Sequence, residues 1–346
     1  MSVMRRGLVV AALVVILFGA SPAEPLPFSH DRFWFTPGPG TIDMLRLFES
    51  PDEWPQARQT IDVFEFYQGH TRTVAGPGEG PNRYDAFVRV DAFRKLRQWG
   101  KPIAIEMAAV KEQYCTEDAS GMQRAIGDTL ESLRNVQAAE GRATYVAMDE
   151  PFIGGLARAC GTPAAERTAD RLAIYVPAVR KAFPSVKIGL IEPYPVFTVA
   201  QFARMLQLLR DRNVTVDFLH IDARRPDAQP GSQAYGGELI LLQQLAEAYR
   251  IPFGVIVWGD PGDSDALYAA DALRNADALG RVFRSWEVLP DHVIIQSWAL
   301  SRTGQFITPT NLPETSANTH TWLVNEIYRR LRTPKLERSI PLSSGG

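Results

Sequence analysis

Seven carboxylates fall at or near the ends of short β-rich runs in this 346-residue chain: Glu65, Glu106, Asp149, Glu150, Glu192, Asp222 and Asp260. A lone acid in such a place is as readily a cap or half of a salt bridge. Acids on six runs, all toward the same end, are harder to assign to stability, because an unpaired buried carboxylate is costly. Crowded carboxyls shift one another's proton affinity unequally, so that some stay protonated while others ionise. Acid–base catalysis needs that division of labour. Near the same run ends lie Tyr194, His220, Trp258, Gln296 and Trp298.

Residues so far apart in sequence must be gathered by repeated elements, and one unit recurs eight times: a β-rich run followed by a helical stretch. The runs are Phe33–Thr36, Asp62–Gln68, Pro102–Ala108, Thr144–Glu150, Val186–Glu192, Val216–Asp222, Pro252–Asp260 and His292–Ala299. The stretches between them carry apolar residues at helical spacing. Arg83–Trp99, with Phe87, Val90, Phe93 and Leu96 on one face, predicts a helix, as do Met122–Glu140, Ala165–Phe183, Val199–Arg212, Glu238–Tyr249, Ser264–Glu287 and Thr319–Leu331. Gly100-Lys101-Pro102, Pro184-Ser185-Val186 and Arg250-Ile251-Pro252 stop a helix just before a strand. Alternating strand and helix implies parallel strands under a helical coat, and eight units imply a closed (β/α)8 (TIM) barrel.

In such a barrel the site forms at the C-terminal ends of the strands. Side-chain alternation then says which residues face the axis. Phe64 and Phe66 suit the helix-facing side, leaving Glu65 and Tyr67 inward. The same parity turns Glu106, His220, Asp222, Trp258, Asp260, Gln296 and Trp298 inward, and leaves strands four and five ambiguous. Trp258 and Trp298 would lie beside the acids as flat apolar platforms, with Tyr194 available to line the same cleft. Sugars have apolar ring faces and hydroxyl rims, so platforms beside carboxylates suit a carbohydrate.

Met148-Asp149-Glu150-Pro151 at the end of strand four resembles the Asn-Glu-Pro signature of clan A glycoside hydrolases, and Trp298 on strand eight matches the platform Trp of that clan. The resemblance implies Glu150 as general acid/base. Two departures stand against carrying the mechanism over whole: Asp149 replaces the Asn, and strand seven ends Trp258-Gly259-Asp260 without a Glu. Barrels similar to the α-amylase group place Asp, Glu and Asp on strands four, five and seven, an arrangement that Asp149, Glu192 and Asp260 would fit. The expectation is therefore a glycoside hydrolase acting on an oligo- or polysaccharide, with Glu150 as acid and Glu192 or Asp260 as nucleophile or base. Glu65, Glu106, Asp149, Tyr194, His220, Asp222, Trp258, Gln296 and Trp298 would bind substrate or tune protonation. No cofactor and no metal is expected.

Two other readings have support. Glu106, Asp149 or Glu150, and Glu192 could hold Mg²⁺ or Mn²⁺ for an isomerase- or lyase-type reaction, although no Lys ends an inward strand to serve as base. A zinc hydrolase is disfavoured, because the five His include only His220 in a suitable place. A sugar-binding barrel without turnover is the other reading, suggested by the missing Glu on strand seven. Gly259-Asp260-Pro261-Gly262-Asp263 would repel a phosphate.

Arg5 and Arg6 precede an apolar run, Gly7 to Ala20, followed by Ser21-Pro22-Ala23. This charged-apolar-small order predicts a cleaved signal peptide over residues 1–23, the run being shorter than the roughly 20 residues of a membrane span. The barrel then covers 24–333, and 334–346 form a flexible tail. A periplasmic or secreted monomer is expected, with no stable membrane insertion. The net charge of -2 and the absence of a basic run exclude a nucleic-acid partner. Cys115 and Cys160 fall in adjacent loops on one barrel face, where an exported protein could pair them; two unrelated thiols is the alternative.

Overall fold

A strand covered on both faces reads as a nearly continuous apolar run, and this sequence supplies such runs between helix stops. In the computed structural model they form a closed barrel of eight parallel strands in chain order. The structure describes residues 32–74, 82–116, 120–157, 160, 165–223, 232–286, 288–304 and 308–331. The predicted signal peptide, the Gly76–Pro81 loop and the 334–346 tail lie outside them. The strands are β1 (Phe33–Thr36), β2 (Val63–Tyr67), β3 (Ile103–Met107), β4 (Ala143–Asp149), β5 (Lys187–Tyr194), β6 (Leu219–Ala223), β7 (Phe253–Val257) and β8 (His292–Gln296). The barrel closes by pairing β1 with β8, Phe33 opposite Val293 through Thr36 opposite Gln296.

Short helices α1 (Arg46–Glu49) and α2 (Pro55–Thr60) follow β1. Then come α3 (Tyr84–Arg89), α4 (Ala92–Gln98), α5 (Ser120–Ala138), α6 (Pro151–Gly154) and α7 (Ala165–Ala182). The coat is completed by α8 (Val199–Asp211), α9 (Ser232–Ala248), α10 (Asp265–Ser285) and α11 (His320–Leu331). The single helix predicted over Arg83–Trp99 is instead α3 and α4. The break falls at Asp91, whose φ of 55° lies in the left-handed region, where a short polar side chain is tolerated. Helix α9 begins at Ser232, six residues before the predicted Glu238, because it includes Gly236 and Gly237, which weaken the helical signal.

The barrel axis is filled at its lower half by Trp34, Tyr145 and Phe218, fully or almost fully buried. Trp34 packs at 4.7 Å from the Tyr145 ring, 5.5 Å from Phe218 and 4.8 Å from His220. Two glycines make room for this plug. A Cβ at Gly189 would come 2.2 Å from the Phe218 ring, and one at Gly254 would come 2.5 Å from His220 Cδ2. Along the barrel axis, the open space lies above this plug, at the C-terminal mouth. No helix among the described residues is long and apolar enough to cross a membrane.

Cys115 and Cys160 form a disulfide across a sequence separation of 45 residues, tying the loop after β3 to the loop after β4. Closing a loop of that size is worth about 4 kcal/mol in the chain-entropy view. Reduction is therefore expected to lower the melting temperature by roughly 5–15 °C. Melts with and without reductant check this, and an unchanged midpoint would show that the bond adds nothing.

The histidines set a second expectation. Burial pulls His70 down to about 4 and both His292 and His320 down to about 3. The unfolded chain therefore takes up protons at these sites first, and stability is lost as pH falls below the unfolded value near 6.5. Each site contributes at most about 1.4 kcal/mol per pH unit. Burial acts oppositely on Glu65, raised to about 7, and on Glu106 and Glu192, both raised well above the ordinary carboxyl range. Their contribution grows as pH falls toward the unfolded value near 4.5 and then stops. The two trends offset each other down to about pH 4.5, and the melting temperature should drop steeply from there to about pH 3. His320 provides the control. Its ring nitrogens meet no protein partner, and its ring lies 4.8 Å from Phe35. His320→Leu should flatten the acid limb without breaking a hydrogen bond; an unaltered limb would assign the loss to other groups.

Candidate active site

Strand parity delivers most of the site. On β3, Ile105 and Met107 pack outward among the helices while Ala104 faces the axis, so Glu106 points into the barrel. On β4, Tyr145 and Ala147 face the axis, which puts Asp149 in phase with them. Glu150 opens the following loop with φ 46°, a left-handed conformation that a non-glycine residue adopts only when its surroundings impose it. Outward-facing Leu219 and Ile221 on β6 leave His220 and Asp222 inward. Gln296 closes β8, and Trp298 follows two residues on.

A cavity of about 340 Å³ at this mouth is lined by Tyr67, Glu106, Lys111, Asp149, Glu150, Asp222, Gln296 and Trp298, together with Pro39, Ile191 and Ile256. That size suits a small ligand or part of a longer one. A smaller cavity of about 180 Å³ at the opposite end, beside Phe33 and Tyr328, has no acidic lining residue.

Three groups of contacts organise the mouth. Lys111 Nζ lies 2.6 Å from Asp149 Oδ2 and 3.5 Å from Glu150 Oε2. Gln296 Nε2 donates to Glu106 and, at 3.2 Å, to the Tyr67 hydroxyl, which itself donates to the Ser297 carbonyl at 2.7 Å. Trp258 Nε1 donates to Asp222 Oδ1 at 2.6 Å, and the Trp258 and Trp298 rings pack with centroids 4.7 Å apart.

Protonation follows from this packing. Burial, reinforced by the Asp149 charge, raises the Glu150 carboxyl above the ordinary range, and Lys111 opposes the rise. Burial and the charges of Asp149 and Glu65 push Glu106 well above it. Burial draws the Lys111 ammonium down, but Asp149 and Glu150 outweigh it and hold the lysine charged. A lysine kept as ammonium can pair with anions and is unsuited to attack a carbonyl as a free amine. The mouth thus sets carboxyls of raised proton affinity beside a fixed cation.

Several expected site residues lie elsewhere. Glu192 is fully buried and accepts from the backbone N–H groups of Phe152 (2.6 Å) and Ile153 (3.4 Å). On β5 it is Gly189 and Ile191 that face the axis, so Glu192 points outward under α6 and fixes the loop that carries Glu150. Tyr194 shares that outward parity and donates its hydroxyl to Glu238 on α9. Asp260 is exposed, because β7 ends at Val257 and the chain has turned away by Gly259; its backbone N–H donates to Asp271. His220 sits below the cavity, 2.9 Å from His292 Nδ1, and Glu65 is buried beneath it, accepting from Thr36 at 2.6 Å. Lys111 had no place in the expected site because it stands in a loop, four residues beyond β3. The nearby Cys115 was its one sequence signal, a staple that makes a loop worth inspecting.

Among the described residues, no group of three or more His, Cys, Asp or Glu is placed to hold a metal ion. No protein-family model and no curated protein matches the sequence. Solved structures do match in shape. The GH53 catalytic domain of Ignisphaera aggregans is 12% identical, with 90% of this chain and 99% of that one covered at a TM-score of 0.54. A mutant of xylanase A from P. fluorescens subsp. cellulosa, in complex with xylopentaose, is 11% identical over 87% of this chain and 97% of that one, at 0.55. A psychrophilic glycoside hydrolase family 10 endo-β-1,4-xylanase is 9% identical over 78% and 87%, at 0.50. At these identities the likeness is one of fold, and the chain has the (β/α)8-barrel fold of these glycoside hydrolase catalytic domains.

Proposed function

We propose that this protein is an exported glycoside hydrolase in which Glu150 protonates the glycosidic oxygen and Asp222 is the second carboxylate. The observation that carries the reading is that Glu150, Asp222 and Trp298 line one cavity. Glycoside hydrolysis needs two carboxyls astride the scissile bond. Glu192 and Asp260 are not available for the second role, since one is sealed under α6 and the other faces solvent. Asp222 is two strands from Glu150 around the barrel and is oriented by the Trp258 indole. The raised proton affinity of Glu150 suits an acid that must still hold its proton when substrate arrives. Trp298, backed by Trp258, offers a platform for an apolar sugar face, and Glu106, Gln296 and Tyr67 can engage hydroxyls. The Cys115–Cys160 bond supports export to an oxidising compartment.

A binding barrel without turnover is the second reading, favoured by the absence of a carboxylate from β7 in the cavity lining. Incubation with a panel of plant, bacterial and amino polysaccharides separates the two. The hydrolase reading expects new reducing ends, unaffected by EDTA and lost in Glu150→Gln. Sugar binding with no reducing ends from any polymer would establish the binding barrel instead.

A further inference from the structure

Lys111 is the cation the cavity is built around, and the fold takes trouble to hold it. Its loop is clamped by Arg171 on α7, which donates to the carbonyls of Val110 at 2.8 Å and Tyr114 at 2.9 Å. The disulfide at Cys115 fastens the same loop to the segment after β4. Helix α6 lies directly on the lysine: a Cβ at Gly154 would come 2.9 Å from Lys111 Cγ and 3.0 Å from its Cα. The lysine side chain is 19% exposed, and its ammonium reaches both Asp149 and Glu150.

We propose that Lys111 is a positioning residue whose ammonium fixes the Glu150 carboxyl at the cavity wall and governs when it gives up its proton. The inference rests on the hydrolase reading for its consequence in turnover, and its geometry stands independently of that reading. The charged groups around Glu150 are Lys111 and Glu112 from the loop after β3, Asp149 on β4 and Glu192 on β5. Lys111 is the cation in that set. It opposes burial and the Asp149 charge, which together raise the proton affinity of Glu150. Glu150 sits in a left-handed backbone conformation. From there its carboxyl comes within 3.5 Å of the Lys111 ammonium.

Titration of carboxyl-¹³C-glutamate-labelled protein by NMR tests this directly, the Glu150 signal being identified by its loss in Glu150→Gln. In Lys111→Met the signal should titrate about one pH unit or more higher than in the wild type, and Lys111→Arg should restore it. Turnover in Lys111→Met should fall about tenfold or more, with the alkaline limb of its pH profile moved in the same direction. Lys111→Gln, which keeps a polar head without the charge, should move the signal the same way as Lys111→Met, which keeps the test decisive if Lys111→Met folds poorly. A Glu150 signal unmoved in both variants overturns the proposal. A shifted signal in a protein that cleaves no polysaccharide would instead overturn the hydrolase reading and leave the role of Lys111 standing.

Discussion

Glu150→Gln is expected to lower turnover on polysaccharide by about 10²–10⁴-fold while the protein folds and binds sugar as before, the range that loss of a general acid produces. The substitution is isosteric, so the platform of Trp298 and the strand-end backbone are undisturbed. It removes one of the two carboxyls beside Lys111, but the closer one, Asp149 at 2.6 Å, remains. The loss should depend on the leaving group. An aryl glycoside with an acidic phenol departs without much help from a proton donor, so the variant should retain far more activity on it than on polysaccharide. The alkaline limb of the pH profile should also disappear, since that limb reports deprotonation of the acid. Steady-state rates on both substrates and a thermal melt check this. Equal loss on the two substrates, in a variant that melts like the wild type, would deny Glu150 the role of acid.

The same residue shows how far sequence carries. The Asp149-Glu150-Pro151 motif points to it, and the period-two alternation of β3 and β6 gives the inward residues because each has bulky apolar side chains on one face only. On β5 that signal fails. Gly189-Leu190-Ile191 precedes Glu192, and a strand covered on both faces has no polar side to mark its phase. The phase is set by packing: Gly189 must face the axis to admit the Phe218 ring, which turns Glu192 and Tyr194 outward. Asp260 misleads for a different reason. Trp258 keeps the phase of the strand, but Gly259 ends it, and parity says nothing past that point. Lys111 was beyond reach of either rule, because its position depends on Arg171, Cys160 and Gly154, three contacts distant in sequence.

Asp222→Asn is the other large effect expected, again about 10²–10⁴-fold in turnover with folding retained. The amide keeps an oxygen to accept from Trp258, so the side chain should stay in place. What is lost is the negative charge that attacks the anomeric carbon or activates water. Two further measurements decide which. If Asp222 is a nucleophile, Asp222→Ala should recover activity with azide and yield a glycosyl azide, and the wild type should release product with retained configuration. If it is a base, the wild type should invert, as carboxyl pairs about 6.5–9.5 Å apart do, in contrast to about 5 Å for retention. The double variant with Glu150→Gln is the sharper test of partnership. Groups that serve one transition state are not additive, so the pair should be little worse than the more damaged single variant. Losses that multiply instead would mean that Glu150 and Asp222 act on separate steps, and an unimpaired Asp222→Asn would remove the second carboxylate from β6 altogether.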